Sequence, residues 1–214
     1  MQFRQQEALR YLKAQKDDKE AAILVATVYL KMRNEVQARH VVQRQHCQIT
    51  PGGVLLECGT EFHSAQLARH LQGCEEVLLL GATLGSRVDA CIRRLAILSV
   101  AEGAAAQAVG AALIESYLDE LQEKLQQQLD QEKLYQKTRF SPGYGDWALE
   151  EQRLLFPVLD CAKRIGLTLT EGCMMAPSKS VTAIIGLTRE KKTCIQHKCE
   201  QCSNVGCEFR ETGN

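Results

Sequence analysis

Residues 99–131 read SVAEGAAAQAVGAALIESYLDELQEKLQQQLDQ, and this stretch decides the fold. Ile114, Leu118, Leu121 and Leu125 recur at i, i+4, i+7 and i+11, one apolar stripe on a long helix. Gln126, Gln127 and Gln128 belong to its solvated outer face. Shorter elements precede it. Residues 2–14, with Phe3, Leu9 and Leu12 among polar neighbours, predict a short amphipathic helix. Asp17-Asp18 caps a second helix over about 19–39, with Ile23, Val28, Leu30 and Met32 apolar. A strand over 40–50 closes at Pro51-Gly52-Gly53, and a second follows over 54–57. Residues 64–71 read as helix with Gly73 as its C-cap, 76–81 as a buried strand, and Gly85-Ser86 as the start of a helix to about 98.

Beyond the long helix, 147–164 predicts one further helix ending before Gly166. Residues 167–170 and 181–187 alternate apolar and polar positions, as half-buried antiparallel strands do. This order lacks the strand–helix alternation of a doubly wound sheet. The expected class is α+β: a helical N-terminal part, a long central helix, a twisted and mainly antiparallel sheet, and a Cys-rich tail. Domain bounds of 1–190 and 191–214 follow.

With 214 residues, 45% of them hydrophobic and 24% charged, the composition suits one domain with a sizeable core. The 26 basic and 26 acidic residues cancel, so no basic face is advertised to nucleic acid or anionic lipid. Residues 1–10 lack the apolar run of a secretory signal. The most apolar stretches, 21–30 and 76–84, are too short to span a bilayer, and a cytoplasmic location is expected.

Ten cysteines are many for such a chain. Cys47, Cys58, Cys74, Cys91, Cys161 and Cys173 lie in apolar or mixed segments and are expected as core packing. The other four form Cys194-x4-Cys199-x2-Cys202-x4-Cys207. Four thiols so close, with Cys-x-x-Cys at the centre, can wrap one tetrahedral zinc ion or one iron–sulfur cluster. Lys191, Lys192, Lys198 and Arg210 would offset the thiolate charge.

Two stretches carry ligand chemistry. Arg139-Phe140-Ser141-Pro142-Gly143-Tyr144 combines a guanidinium fork, a turn fixed by Pro142 and Gly143, and an aromatic ring. Such a loop offers Arg139 to a carboxylate and Tyr144 to a flat base, although a plain surface turn has the same composition. The second, residues 168–181, sets Thr170, Glu171, Ser178 and Ser180 around Met174, Met175 and Pro177. Its methionines are expected as core filler.

Read in order, Arg139-x-x-Pro142-Gly143-Tyr144 and then Ile165-Gly166-x-x-Leu169-Thr170-Glu171-x-x-x-Met175-x-Pro177-x-x-Ser180-Val181 resembles the activation domain of cobalamin-dependent methionine synthase. The closer likeness is to short stand-alone relatives of that domain. Glu7-Ala8-Leu9-Arg10-Tyr11-Leu12, His70-Leu71-x-Gly73-Cys74 and Ala82-Thr83-Leu84-Gly85 are similar to those members, so the likeness spans roughly 3–187.

The resemblance implies S-adenosylmethionine binding. Arg139 would hold the methionyl carboxylate, Pro142, Gly143 and Tyr144 would shape the pocket, and a glutamate of the long helix, Glu115 or alternatively Glu102, would contribute. The family presents the methyl donor to a corrinoid that has been reduced back from an oxidised state. The implied partner is a corrinoid-binding methyltransferase protein that holds the cobalamin, together with a flavodoxin- or ferredoxin-type reductant. The protein would be a methionine synthase component that is not self-sufficient, supplying binding and orientation rather than acid–base groups. Return of the cobalt to its lowest oxidation state needs a low-potential electron, which favours iron–sulfur over zinc at the tail.

Departures from the family are specific. The aromatic-rich N-terminal segment of the full-length domain has no match. Arg189-Glu190-Lys191-Lys192 stands where the family has aromatics, and the Asp-x-His-x-x-Gly pattern of a cobalamin module is absent. Two other classes compete: a corrinoid-binding or electron-delivery module without methyl-donor binding, and a free-standing methyltransferase. For the last, Gly81-x-x-x-Gly85 superficially resembles a Rossmann-type turn, but no acidic strand end follows about 20 residues on.

Overall fold

Strand alternation around residues 76–83 organises the molecule. In the computed structural model, which describes residues 1–15 and 17–190, β4 (Glu76–Thr83) turns Val77 and Leu79 to one face and Leu78, Leu80 and Ala82 to the other. Both sets are buried, so the strand is central and covered on both sides. Its neighbours are β1 (Arg39–Thr50) and β8 (Ser180–Thr188), both antiparallel to it. With β2 (Gly53–Leu56), β3 (Glu61–His63) and β5 (Tyr135–Gln136) the sheet runs β3-β2-β1-β4-β8-β5, antiparallel throughout.

Four helices cover one face: α1 (Gln5–Tyr11), α2 (Lys19–Met32), α4 (Ser86–Leu98) and α5 (Val100–Leu129). At 30 residues, α5 is about 45 Å long. Its stripe of Ile114, Leu118 and Leu121 is buried against the sheet, each side chain contributing about 1.5–3 kcal/mol. The opposite face carries α3 (Ala65–His70), α6 (Gln152–Leu159) and α7 (Cys161–Ile165) around Trp147 and Phe62. A two-stranded ribbon, β6 (Thr168–Leu169) with β7 (Met175–Ala176), completes the fold. The expected α+β class, long helix and antiparallel sheet are all present.

Several local expectations are corrected. The second helix stops at Met32, passes through a 3-10 turn at Arg33–Glu35, and leaves Ile23 and Leu30 exposed. Its cap is as read, with Asp18 accepting from the Ala21 amide. The expected helix over 147–164 is two short ones: the first runs through Pro157 to Leu159, and the break falls at Asp160, which turns left-handed at φ +49°. β8 is buried almost end to end rather than half-buried, because β4 and β5 flank it and helices cover both faces. Of the six scattered cysteines, Cys74, Cys91, Cys161 and Cys173 are core, but Cys58 is exposed and Cys47 half-buried. Met174 is 65% exposed, so it fills no core.

Candidate functional site

Arg139 reaches α5 because the chain beyond β5 continues along β8. The Lys137 amide bonds to the Gly186 carbonyl at 2.8 Å, and Phe140 and Ile184 exchange bonds at 2.8 and 2.9 Å. Extended backbone sends neighbouring side chains to opposite faces. Phe140 therefore enters the α3-side core, and Arg139 points to α5.

The Arg139 side chain is only 6% exposed. Its Nη2 donates to Glu115 Oε2 at 2.7 Å and to Asp119 Oδ1 at 3.1 Å. Nη1 donates to Asp119 Oδ1 at 3.1 Å and to Gln122 Oε1. Glu115, Asp119 and Gln122 stand at i, i+4 and i+7, one side of α5. The fork thus already serves carboxylate geometry. On its outer side Asp119 is shared with Arg4, which donates at 2.6 Å. Burial, and then the Glu115 charge, push the Tyr11 hydroxyl of α1 up to about 12.

The rest of the motif turns sharply away. Gly143 has φ +87°, which favours glycine, and its amide bonds to the Trp147 carbonyl at 2.8 Å. Tyr144, 46% exposed, stands edge-on to Phe140 at 5.4 Å. Pro142 is half-buried at the start of the turn. Helix α3 pins this segment at both ends. Asp146 accepts from the Ser64 hydroxyl and from the Ala65 and Gln66 amides, and these bonds hold its carboxyl below the usual carboxylate range. At the other end, His70 Nε2 meets the Thr138 carbonyl at 2.9 Å, and Lys137 Nζ donates to the His70 and Gln72 carbonyls.

Arg139 and Glu115 are therefore in direct contact. Glu102, the alternative glutamate, lies about 20 Å from Glu115 along α5 and pairs with Lys31 at 2.7 Å. Residues 168–181 make other contacts. Ser178 donates twice to Asp89, the Glu171 carbonyl accepts from Arg153, and Thr170 closes its own turn onto Met174. Asp119, Gln122, Tyr11 and Arg4 were missed in the sequence. The polar i, i+4, i+7 row beside the apolar stripe was the available sign for the first two.

Cys194, Cys199, Cys202 and Cys207 lie outside the described residues. Among the described residues no group of three or more His, Cys, Asp or Glu side chains is placed to hold a metal ion. None of the described helices is long and apolar enough to cross a membrane.

Residues 100–203, which include α5, Arg139 and the turn, match the family described as vitamin B12 dependent methionine synthase, activation domain. Over that stretch the chain is similar to the activation-domain family. A solved relative in fold is the MetH reactivation domain bound to AdoHcy, with a TM-score of 0.61 and 19% identity. The likeness covers 86% of this chain and 70% of that one. No curated protein sequence matches. Arg139, Pro142, Gly143 and Tyr144 lie within the matched residues.

Proposed function

We propose that the chain binds S-adenosylmethionine at the Arg139–Glu115 cluster and presents it to a corrinoid cofactor held by a partner protein. The observation that carries this reading is the buried guanidinium of Arg139, whose fork is turned to two carboxylates of α5 beside a glycine turn. In the bound state the methionyl carboxylate takes the place of one of them on Arg139, and Glu115 accepts from the ligand's ammonium group. Pro142, Gly143 and Tyr144 shape the outer wall. The partner's corrinoid supplies the nucleophile, and this chain supplies position. No general acid or base is required.

Residues 1–190 form the binding unit in this reading, and 191–214 form a ligating appendage. Four thiols at Cys194, Cys199, Cys202 and Cys207 are a donor set suited to zinc or an iron–sulfur cluster. An iron–sulfur cluster would receive electrons from a flavodoxin- or ferredoxin-type reductant. Anaerobic iron, zinc and sulfide analysis decides between the two, and a colourless protein containing zinc and no iron removes the electron-transfer role.

One observation favours the rival reading of an electron-delivery module without a methyl donor: the Arg139 fork is already filled by Glu115, Asp119 and Gln122. Equilibrium dialysis with methyl-labelled S-adenosylmethionine separates the two. Saturable retention that weakens in Tyr144→Ala supports the methyl-donor site, and no retention by the wild type leaves the rival.

A further inference from the structure

The side of α5 turned away from Arg139 borders a groove of about 440 Å³, bounded by β1 around Val42, by Lys124 and Leu125, and by Arg164 of α7. One wall of this groove is an unpaired strand edge. β4 pairs with β1 along residues 39–46, but β2 pairs with it only from Cys47 to Thr50. Orientation follows from two bonds. The Cys47 amide donates to the Glu75 carbonyl at 2.9 Å, on the β4 side, and the His46 carbonyl accepts from the Glu57 amide at 3.0 Å, on the β2 side. Even-numbered residues therefore aim their backbone groups away from β4. Past the end of β2, the N–H and C=O of His40, Val42 and Arg44 face outward with no protein partner among the described residues.

Such an edge is a template for another strand unless something blunts it. Here no proline or bulge interrupts residues 39–46, and the ladder with β4 is continuous. The charges beside it select the occupant. Lys124 and Arg164 make no ion pair among the described residues, although Glu120 acts on Lys124 at longer range; Arg44 is already paired with Glu76 and Glu132, and the ring of His40 is held at its Nδ1 by the Tyr117 hydroxyl at 2.7 Å. Pairing with a second copy through this edge would be isologous, setting the basic patch of Lys124 and Arg164 against itself, and is opposed by that repulsion. We propose that this edge takes an extended acidic segment of a partner protein as an added antiparallel strand. Its backbone pairs with His40, Val42 and Arg44, its apolar side chains lie on Leu125, and its carboxylates meet Lys124 and Arg164.

Amide hydrogen exchange of the full chain, followed while the synthetic peptide acetyl-Glu-Val-Glu-Val-Glu-Val-Glu-amide is added, tests this. The amides of His40, Val42 and Arg44 are expected to slow about tenfold or more, while those of Val41 and Gln43, already bonded to β4, do not change. Reversing both charges, Lys124→Glu with Arg164→Glu, should weaken the peptide about tenfold, and a Lys-Val peptide should not bind wild type. Val42→Pro removes one outward donor without touching the β4 ladder and should also weaken binding. The proposal is overturned if the three amides do not slow, if both peptides bind alike, or if the same amides slow with protein concentration alone, which would assign the edge to a second copy.

Discussion

Arg139 and Glu115 meet at 2.7 Å from positions 24 residues apart, with the guanidinium almost fully enclosed. The contact joins the end of the β5 segment to the middle of α5. It makes one cation the keystone between a sheet edge and the long helix, pairing with Glu115 and sharing Asp119 with Arg4.

Removing that cation leaves Glu115 without its ion-pair partner and Asp119 with Arg4 alone. Both carboxylates are about one-third exposed, so water relieves part of the cost. Arg139→Ala should lose about 1–2 kcal/mol, read as a lower urea midpoint at unchanged slope. Arg139→Lys should recover only part, because an ammonium cannot make the fork.

Gly143→Ala addresses the turn by itself. A β-carbon there would lie 3.3 Å from Leu149 Cδ1 and would have to adopt φ +87°. The expected cost is about 1 kcal/mol. Since the turn is at the surface, methyl-donor binding should fall more than the melting temperature does, by calorimetry on the same sample.

Gly103→Ala tests the packing of α5 far from the candidate site. Its β-carbon would stand 2.7 Å from Ala96 Cα, part of the α4 backbone, and α4 and α5 would have to separate. Overpacking of this kind costs about 1–3 kcal/mol. Thermal unfolding should show it, with ligand affinity unchanged.

Asp146 makes the turn sensitive to acid. Its hydrogen bond from Ser64, joined by the Gln66 and Ala65 amides, lowers its folded-state value below the ordinary 3.8. A lowered carboxylate contributes stability above its unfolded value, and this is lost as pH falls through the folded one. Protection of the Ala65 and Gln66 amides, measured against the intrinsic exchange rate at each pH, should therefore fall as the pH drops below about 3.8. Asp146→Asn should flatten that dependence.

Much of the scaffold was legible because long elements repeat their period many times. α5, β1, β4 and the Asp18 cap stood where residue spacing put them. β3, β5 and β7 did not, since strands of two or three residues carry no period. The break at Asp160 escaped notice because the apolar pattern runs through it, and only backbone geometry reveals the left-handed turn. At the candidate site Arg139 and Glu115 were each readable as residue types. Their contact was not, because it follows from the alternation of Arg139 and Phe140 along β8, a pairing that one chain read linearly does not display. Asp119 and Gln122 stood in the polar i, i+4, i+7 row with Glu115, but their contact with Arg139 was hidden for the same reason.

In the proposed bound state the Arg139 fork holds the carboxylate of S-adenosylmethionine. Isothermal titration of the wild-type chain with S-adenosylmethionine and with its decarboxylated analogue tests it most directly. A charge-assisted contact of this kind predicts at least about tenfold tighter binding of the intact ligand, and loss of that preference in Arg139→Ala. Equal affinity for the two ligands in the wild type, or no heat with either, would contradict it.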